Sequence, residues 1–156
     1  MAETLFAQIS RQVLPLEVNS VAVRADGNLE MRETCAPVAF RFSFLGHEFA
    51  GAANATADGA LLSIGADLVP LPYSIESHRR RQRALALLRA TRDLPHTRLV
   101  ATPAMTVRAE GRLPVARPLT AGRLIGATTV LLLELLPYLA LVAEFLETRR
   151  PAHSAA

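Results

Sequence analysis

The sequence predicts an α+β domain in which an antiparallel sheet packs against helices. Three features predict it. Apolar residues recur at every second position in the runs Val38-Phe40-Phe42-Phe44, Leu62-Ile64-Ala66-Leu68 and Val107-Ala109-Gly111-Leu113-Val115. Such alternation describes strands covered on one face only, as in antiparallel sheets. Turn-forming residues separate the early runs by short gaps, which joins antiparallel neighbours. A leucine-rich stretch from about Thr120 to Thr148 is too long for a strand and ends the pattern with a helix.

The elements follow in order. Leu5, Phe6, Ile9 and Val13 are spaced by one to four residues and predict a first helix over 3–14, with Pro15 just past its end. Val21 and Val23, then Leu29 to Arg32, read as a short hairpin around Asp26-Gly27-Asn28, where Gly and Asn tolerate positive φ. A three-stranded meander follows from Val38 to Leu68, with turns expected at Gly46-His47 and Asp58-Gly59. In the first of its strands, Phe40, Phe42 and Phe44 are read as core and Arg41 and Ser43 as the opposite face.

Pro70 and Pro72 stop the sheet. Ser74 is the expected cap of a second helix that runs to about Arg92, with Glu76 in its first turn and with Ala84, Leu85, Leu87 and Leu88 as apolar contacts. Arg98 to Thr102 forms a short strand. The run from Val107 to Val115 follows, with Arg108, Glu110 and Arg112 on its other face. Gly111 in mid-strand implies a bulge or the close approach of another element. Thr120 caps the last helix, and Pro137 is expected to kink it. Residues 1–150 therefore form one domain, and 151–156 a frayed tail.

Composition narrows the function. The chain has 156 residues with a hydrophobic fraction of 51%, ample for one core. A single cysteine, Cys35, rules out an internal disulfide. The opening Met1-Ala2-Glu3-Thr4 lacks the positive region and apolar run of a secretory signal, so a cytoplasmic location is expected. All 17 basic residues are arginine, which reads as the codon bias of a GC-rich genome, and the net charge of +3 is small.

No catalytic or cofactor signature is found. Cys35 has no neighbouring histidine. His47-Glu48 lacks the second histidine of a zinc-protease motif, because position 51 is glycine. His47, His78, His96 and His153 have no ligand spacing, and no phosphate loop or nucleophile elbow occurs. Neither an enzyme, nor a cofactor, nor a metal is expected. Glu134, alone among leucines, needs a partner if buried, and Arg89 or Arg123 could serve.

Two candidate binding regions stand out. Arg79, Arg80, Arg81 and Arg83 cluster at the start of the second helix, where positive charge opposes the helix dipole. They define the alternative reading, a binder of nucleic acid or another acidic ligand, although no aromatic platform accompanies them. The last helix is apolar nearly all round, and such a helix is normally buried. Its length would span a bilayer, about 20 residues, but a central acid such as Glu134 costs roughly 2.5–3.5 kcal/mol there. A homodimer is the better cover, with Leu132, Leu136, Leu139 and Val142 as the candidate interface.

The order helix, three-stranded meander, helix, two strands and long terminal helix resembles the type III secretion chaperone-like fold. Within it the chain looks most like the YbjN-type bacterial proteins. The resemblance rests on the stretch from Met105 to Val115, then Leu119-Thr120, then the leucine-rich helix; with the meander it covers about two-thirds of the chain. It implies a small homodimeric adaptor or chaperone that holds an extended segment of another protein, with no catalytic residues. Strand addition is the natural way to hold it, because an open sheet offers unpaired backbone groups to an extended peptide.

Overall fold

The computed structural model describes Val18, residues 20–31 and residues 37–146. The predicted first helix, Cys35, His153 and the tail lie outside the described residues. The fold is α+β, as expected. A hairpin of β1 (Val21–Val23) and β2 (Leu29–Met31) precedes β3 (Val38–Phe44), β4 (His47–Thr56) and β5 (Gly59–Pro70). Helix α1 (His78–Ala90), strands β6 (Thr97–Ala101) and β7 (Thr106–Ala116), and helix α2 (Ala121–Phe145) complete it. The last five strands form one antiparallel sheet in the order β3-β4-β5-β7-β6.

Local chemistry fixes most boundaries. The β1–β2 loop turns at Gly27, with φ +82°, and Asp26 Oδ1 accepts the Asn28 N–H at 2.9 Å. Phe44 pairs with His47, so Leu45 and Gly46 form a two-residue loop, both at positive φ as a type I′ turn requires. Two expectations are corrected. Thr56 pairs with Gly59, so the second loop is Ala57-Asp58, and neither residue has positive φ. Gly59 is instead a strand residue, where any Cβ would strike the Val115 carbonyl oxygen at 2.2 Å. Helix α1 starts later than expected: Ser77, not Ser74, is its cap, and its hydroxyl accepts the Arg80 N–H at 3.3 Å. Its buried contacts are Ala84 and Leu87, with Leu85 and Leu88 half-buried.

The period-two residues all reach one face of the sheet. Leu62 and Ile64 on β5 lie beside Leu113 and Gly111 on β7 and beside Ala53 and Gly51 on β4. Helix α2 lies across β5, β7 and β6 on that face, and α1 packs beside it over β6. Leu124, Leu131, Leu135, Leu139 and Val142, at helical spacing, are buried against the sheet. Helix and sheet meet closely at Gly111: a Cβ there would lie 3.3 Å from Leu131 and 3.1 Å from Thr97. The close approach is thus realised, and the irregularity in the ladder falls at Asp67–Val69 on β5 instead. Phe42 stacks on its cross-strand partner Phe49, ring centroids 5.3 Å apart, and Phe49 is buried.

Leu131 has no exposed surface and sits over Gly111. Leu131→Ala should therefore destabilise the fold by about 2–5 kcal/mol, and Gly111→Val by about 1–3 kcal/mol through overpacking. Denaturant titration followed by circular dichroism measures both. A loss under about 1 kcal/mol for each would contradict this packing.

Candidate functional site

Two edges bound the five-stranded sheet, and the chain treats them differently. At β6, Thr102 N–H bonds to Thr106 and the His96 carbonyl accepts from Arg112. Even-numbered residues therefore face β7, and the amides of Thr97 and Leu99 point outward. Both outward N–H groups are capped by helix side chains. Glu134, on α2, accepts the Thr97 N–H at 2.9 Å, the Thr97 hydroxyl at 2.7 Å and the His96 N–H at 3.1 Å on one oxygen. Its other oxygen lies 3.2 Å from His96 Nδ1. Thr91, the C-cap of α1, accepts the Leu99 N–H at 2.9 Å while donating back to the last turn of its own helix.

The Glu134 side chain keeps only 16% of its surface. Burial opposes its ionisation, but the hydrogen bonds from Thr97 and His96 together outweigh it and hold the carboxyl below its ordinary value. The partner is therefore not Arg89 or Arg123. Arg123 donates instead to the carbonyls of Ala116, Arg117 and Pro118. Nothing in the linear spacing pairs Glu134 with positions 37 and 38 residues earlier. The clue was only that a central glutamate in an apolar helix needs donors.

The opposite edge is open. The closing pair of a two-residue hairpin, Phe44 and His47, is hydrogen-bonded, so alternation turns the backbone of Ala39, Arg41 and Ser43 away from β4. No hydrogen bond to these three backbones occurs among the described residues. Beside this edge, the sheet face remote from the helices sinks into a shallow depression of about 690 Å³. Its floor is made of small residues on β4 and β5, namely Ala50, Ala52, Ser63 and Gly65. Arg41 stands on one side and Arg108, Glu110 and Arg112 on the other, so three guanidiniums face one carboxylate. Arg108 lies over Gly65 and pairs with Asp67 at 2.8 Å. Arg41 and Arg112 form no side-chain ion pair with the described residues.

The arginine cluster on α1 is committed largely to the chain itself. Arg80 donates to the Leu146 carbonyl at the end of α2, and Arg81 donates to the Pro72 carbonyl at 2.9 Å. The Arg83 guanidinium sits 5.0 Å from the centroid of the Phe145 ring. Only Arg79 of the four is classed as exposed. The cluster thus joins the start of α1 to the end of α2, where positive charge suits the helix dipole.

The candidate dimer residues divide. Leu139 and Val142 are buried in the chain's own core and Leu132 is half-buried, so of the four Leu136 alone is exposed. Leu132, Leu139 and Val142 follow the inward side of the helix. The outward side of α2 instead carries Ile125, Val130, Leu133 and Leu136, exposed by 67%, 47%, 62% and 38%. By length and composition α2 could cross a membrane, and one flank of it packs on the sheet. Among the described residues no three His, Cys, Asp or Glu side chains converge as a metal site.

The depressed Glu134 pKa carries a sign. Its stabilising contribution is complete above the unfolded carboxyl value, near 4.5, and is lost as pH falls through the lower folded value. Wild type should therefore lose more stability on acidification than Glu134→Gln, whose side chain does not titrate, and the difference between the two should narrow in acid. At neutral pH Glu134→Gln should cost about 1–3 kcal/mol. Parallel stability-versus-pH curves would remove the assignment. Thr91→Val, which keeps the shape but leaves the Leu99 amide without an acceptor, should also cost about 1–3 kcal/mol and accelerate hydrogen exchange at Leu99.

The chain matches no protein-family model, and no curated protein is detectably related to it in sequence.

Proposed function

We propose that this chain is a non-enzymatic protein-binding module, an adaptor or chaperone-like protein of the cytoplasm that works as a homodimer. The exposed apolar side of α2 carries the reading. Ile125, Val130, Leu133 and Leu136 leave a long apolar helix greasy on the side turned from the sheet. A patch of this kind marks an interaction surface.

A second copy fits it. Leu133 is the central residue of the 25-residue helix. An antiparallel pair of α2 helices crossing at Leu133 sets Gly126 opposite Ala140 and Gly122 opposite Glu144 of the other copy. Gly126 and Ala140, both small, then meet on either side of the crossing, and Glu144 comes beside Arg123. Isologous contact of this type is the commonest way for one patch to satisfy itself.

The partner-binding role draws on the open sheet edge and on the resemblance to YbjN-type and secretion chaperone-like proteins. Against catalysis stands the use made of the Glu134–His96 pair, which holds the edge of β6. Against the alternative, recognition of nucleic acid by the α1 arginines, stands their engagement with Leu146, Pro72 and Phe145.

Light scattering on the purified chain tests the assembly. The expected mass is twice the chain's 16.8 kDa, and Leu133→Glu should give a folded monomer. A wild-type monomer at micromolar concentration, or stable partition of the protein into lipid vesicles, would sink the proposal.

A further inference from the structure

We infer that β3 is the docking edge for an extended segment of a partner protein, and that this segment alternates acidic and apolar residues. The inference rests on the protein-binding reading and gives it a site and a ligand chemistry.

Two independent features converge on β3. The first is backbone. Ala39, Arg41 and Ser43 turn free N–H and C=O groups outward, whereas the β6 edge has its Thr97 and Leu99 amides capped by Glu134 and Thr91. An added strand therefore finds the outward groups of Ala39, Arg41 and Ser43 free at β3, whereas two of the outward amides of β6 are already taken. The second is charge. Arg41 stands in the middle of the seven-residue strand, on the face of the depression that also holds Arg108 and Arg112. Arg41 and Arg112 lack a carboxylate partner among the described residues.

These features specify the occupant. In a strand paired to β3, the residue opposite Arg41 projects its side chain to the same face, toward the depression. A Glu or Asp there meets the guanidinium. Its immediate neighbours project to the other face, beside Phe40 and Phe42, which are half-buried and favour apolar company. A second copy of this chain is the wrong occupant: symmetric antiparallel pairing centred on β3 sets Arg41 against Arg41, and like charges directly opposite are destabilising.

The test uses the full chain and fluorescent seven-residue peptides of alternating valine and glutamate. Anisotropy should report saturable binding, with the valine–lysine counterpart at least about tenfold weaker. N-methylation of the peptide amides that face β3 should weaken binding by at least about tenfold, while methylation of the outward amides should leave it unchanged. Arg41→Glu should reverse the preference toward the lysine peptide, which a variant that merely failed to fold could not do. No binding, or binding that ignores N-methylation and follows salt alone, overturns the inference. Leu133→Glu separates the two readings: a monomeric variant that still binds peptide upholds the β3 site independently of the dimer. A wild type that is dimeric but blind to the peptide removes the site alone.

Discussion

The bonds from Glu134 and Thr91 to the β6 backbone are the constraint on which the rest of the molecule turns. An edge strand must satisfy or expose its outward amides. Here each helix sends one side chain to do so, and the helix layer is thereby registered against the sheet as well as packed on it. Hydrophobic burial alone is non-directional. Leu131 over Gly111 sets how closely α2 approaches the sheet, and Glu134 ties the helix to Thr97 at one position along the strand.

That registration divides the surface. On one face of the sheet α1 and α2 cover β5, β7 and β6. The other keeps a floor of small residues between arginines, and β3 keeps its free backbone. The outer side of α2 remains apolar because the sheet can shield only the inner side of a single helix. The α1 arginines, conspicuous as a run of charge, serve as a clasp between the two helices.

Much of the fold was legible in the sequence because its cause is local. Alternation in β3, β5 and β7 reports which side chains point inward, and Thr120 caps α2 as its chemistry demands. What could not be read depended on distant partners. Ser74 and Ser77 are equally good caps in isolation, and packing decides between them. Asp58-Gly59 has the composition of a turn, but pairing with Ala116, tight against the Val115 carbonyl, takes the glycine into the strand. Leu139 and Val142 could not be told from Leu133 and Leu136 in a helix that is greasy on all sides, because the direction of the sheet is absent from an unpatterned stripe. The site was least legible of all. The donors to Glu134 come from a strand in another part of the chain, and the freedom of the β3 backbone follows from a hairpin register, which no side chain announces.

The unequal edges also set a limit on growth. Open-ended fibres of stacked sheets require each molecule to offer one accepting edge and one donating edge, so that every addition regenerates the surface it used. With the Thr97 and Leu99 amides occupied from within, β6 offers a new neighbour fewer donors than β3 does. Native molecules laid edge to edge would meet a mismatched ladder at each junction, which discourages a chain rich in valine, leucine and phenylalanine from stacking its own folded sheets.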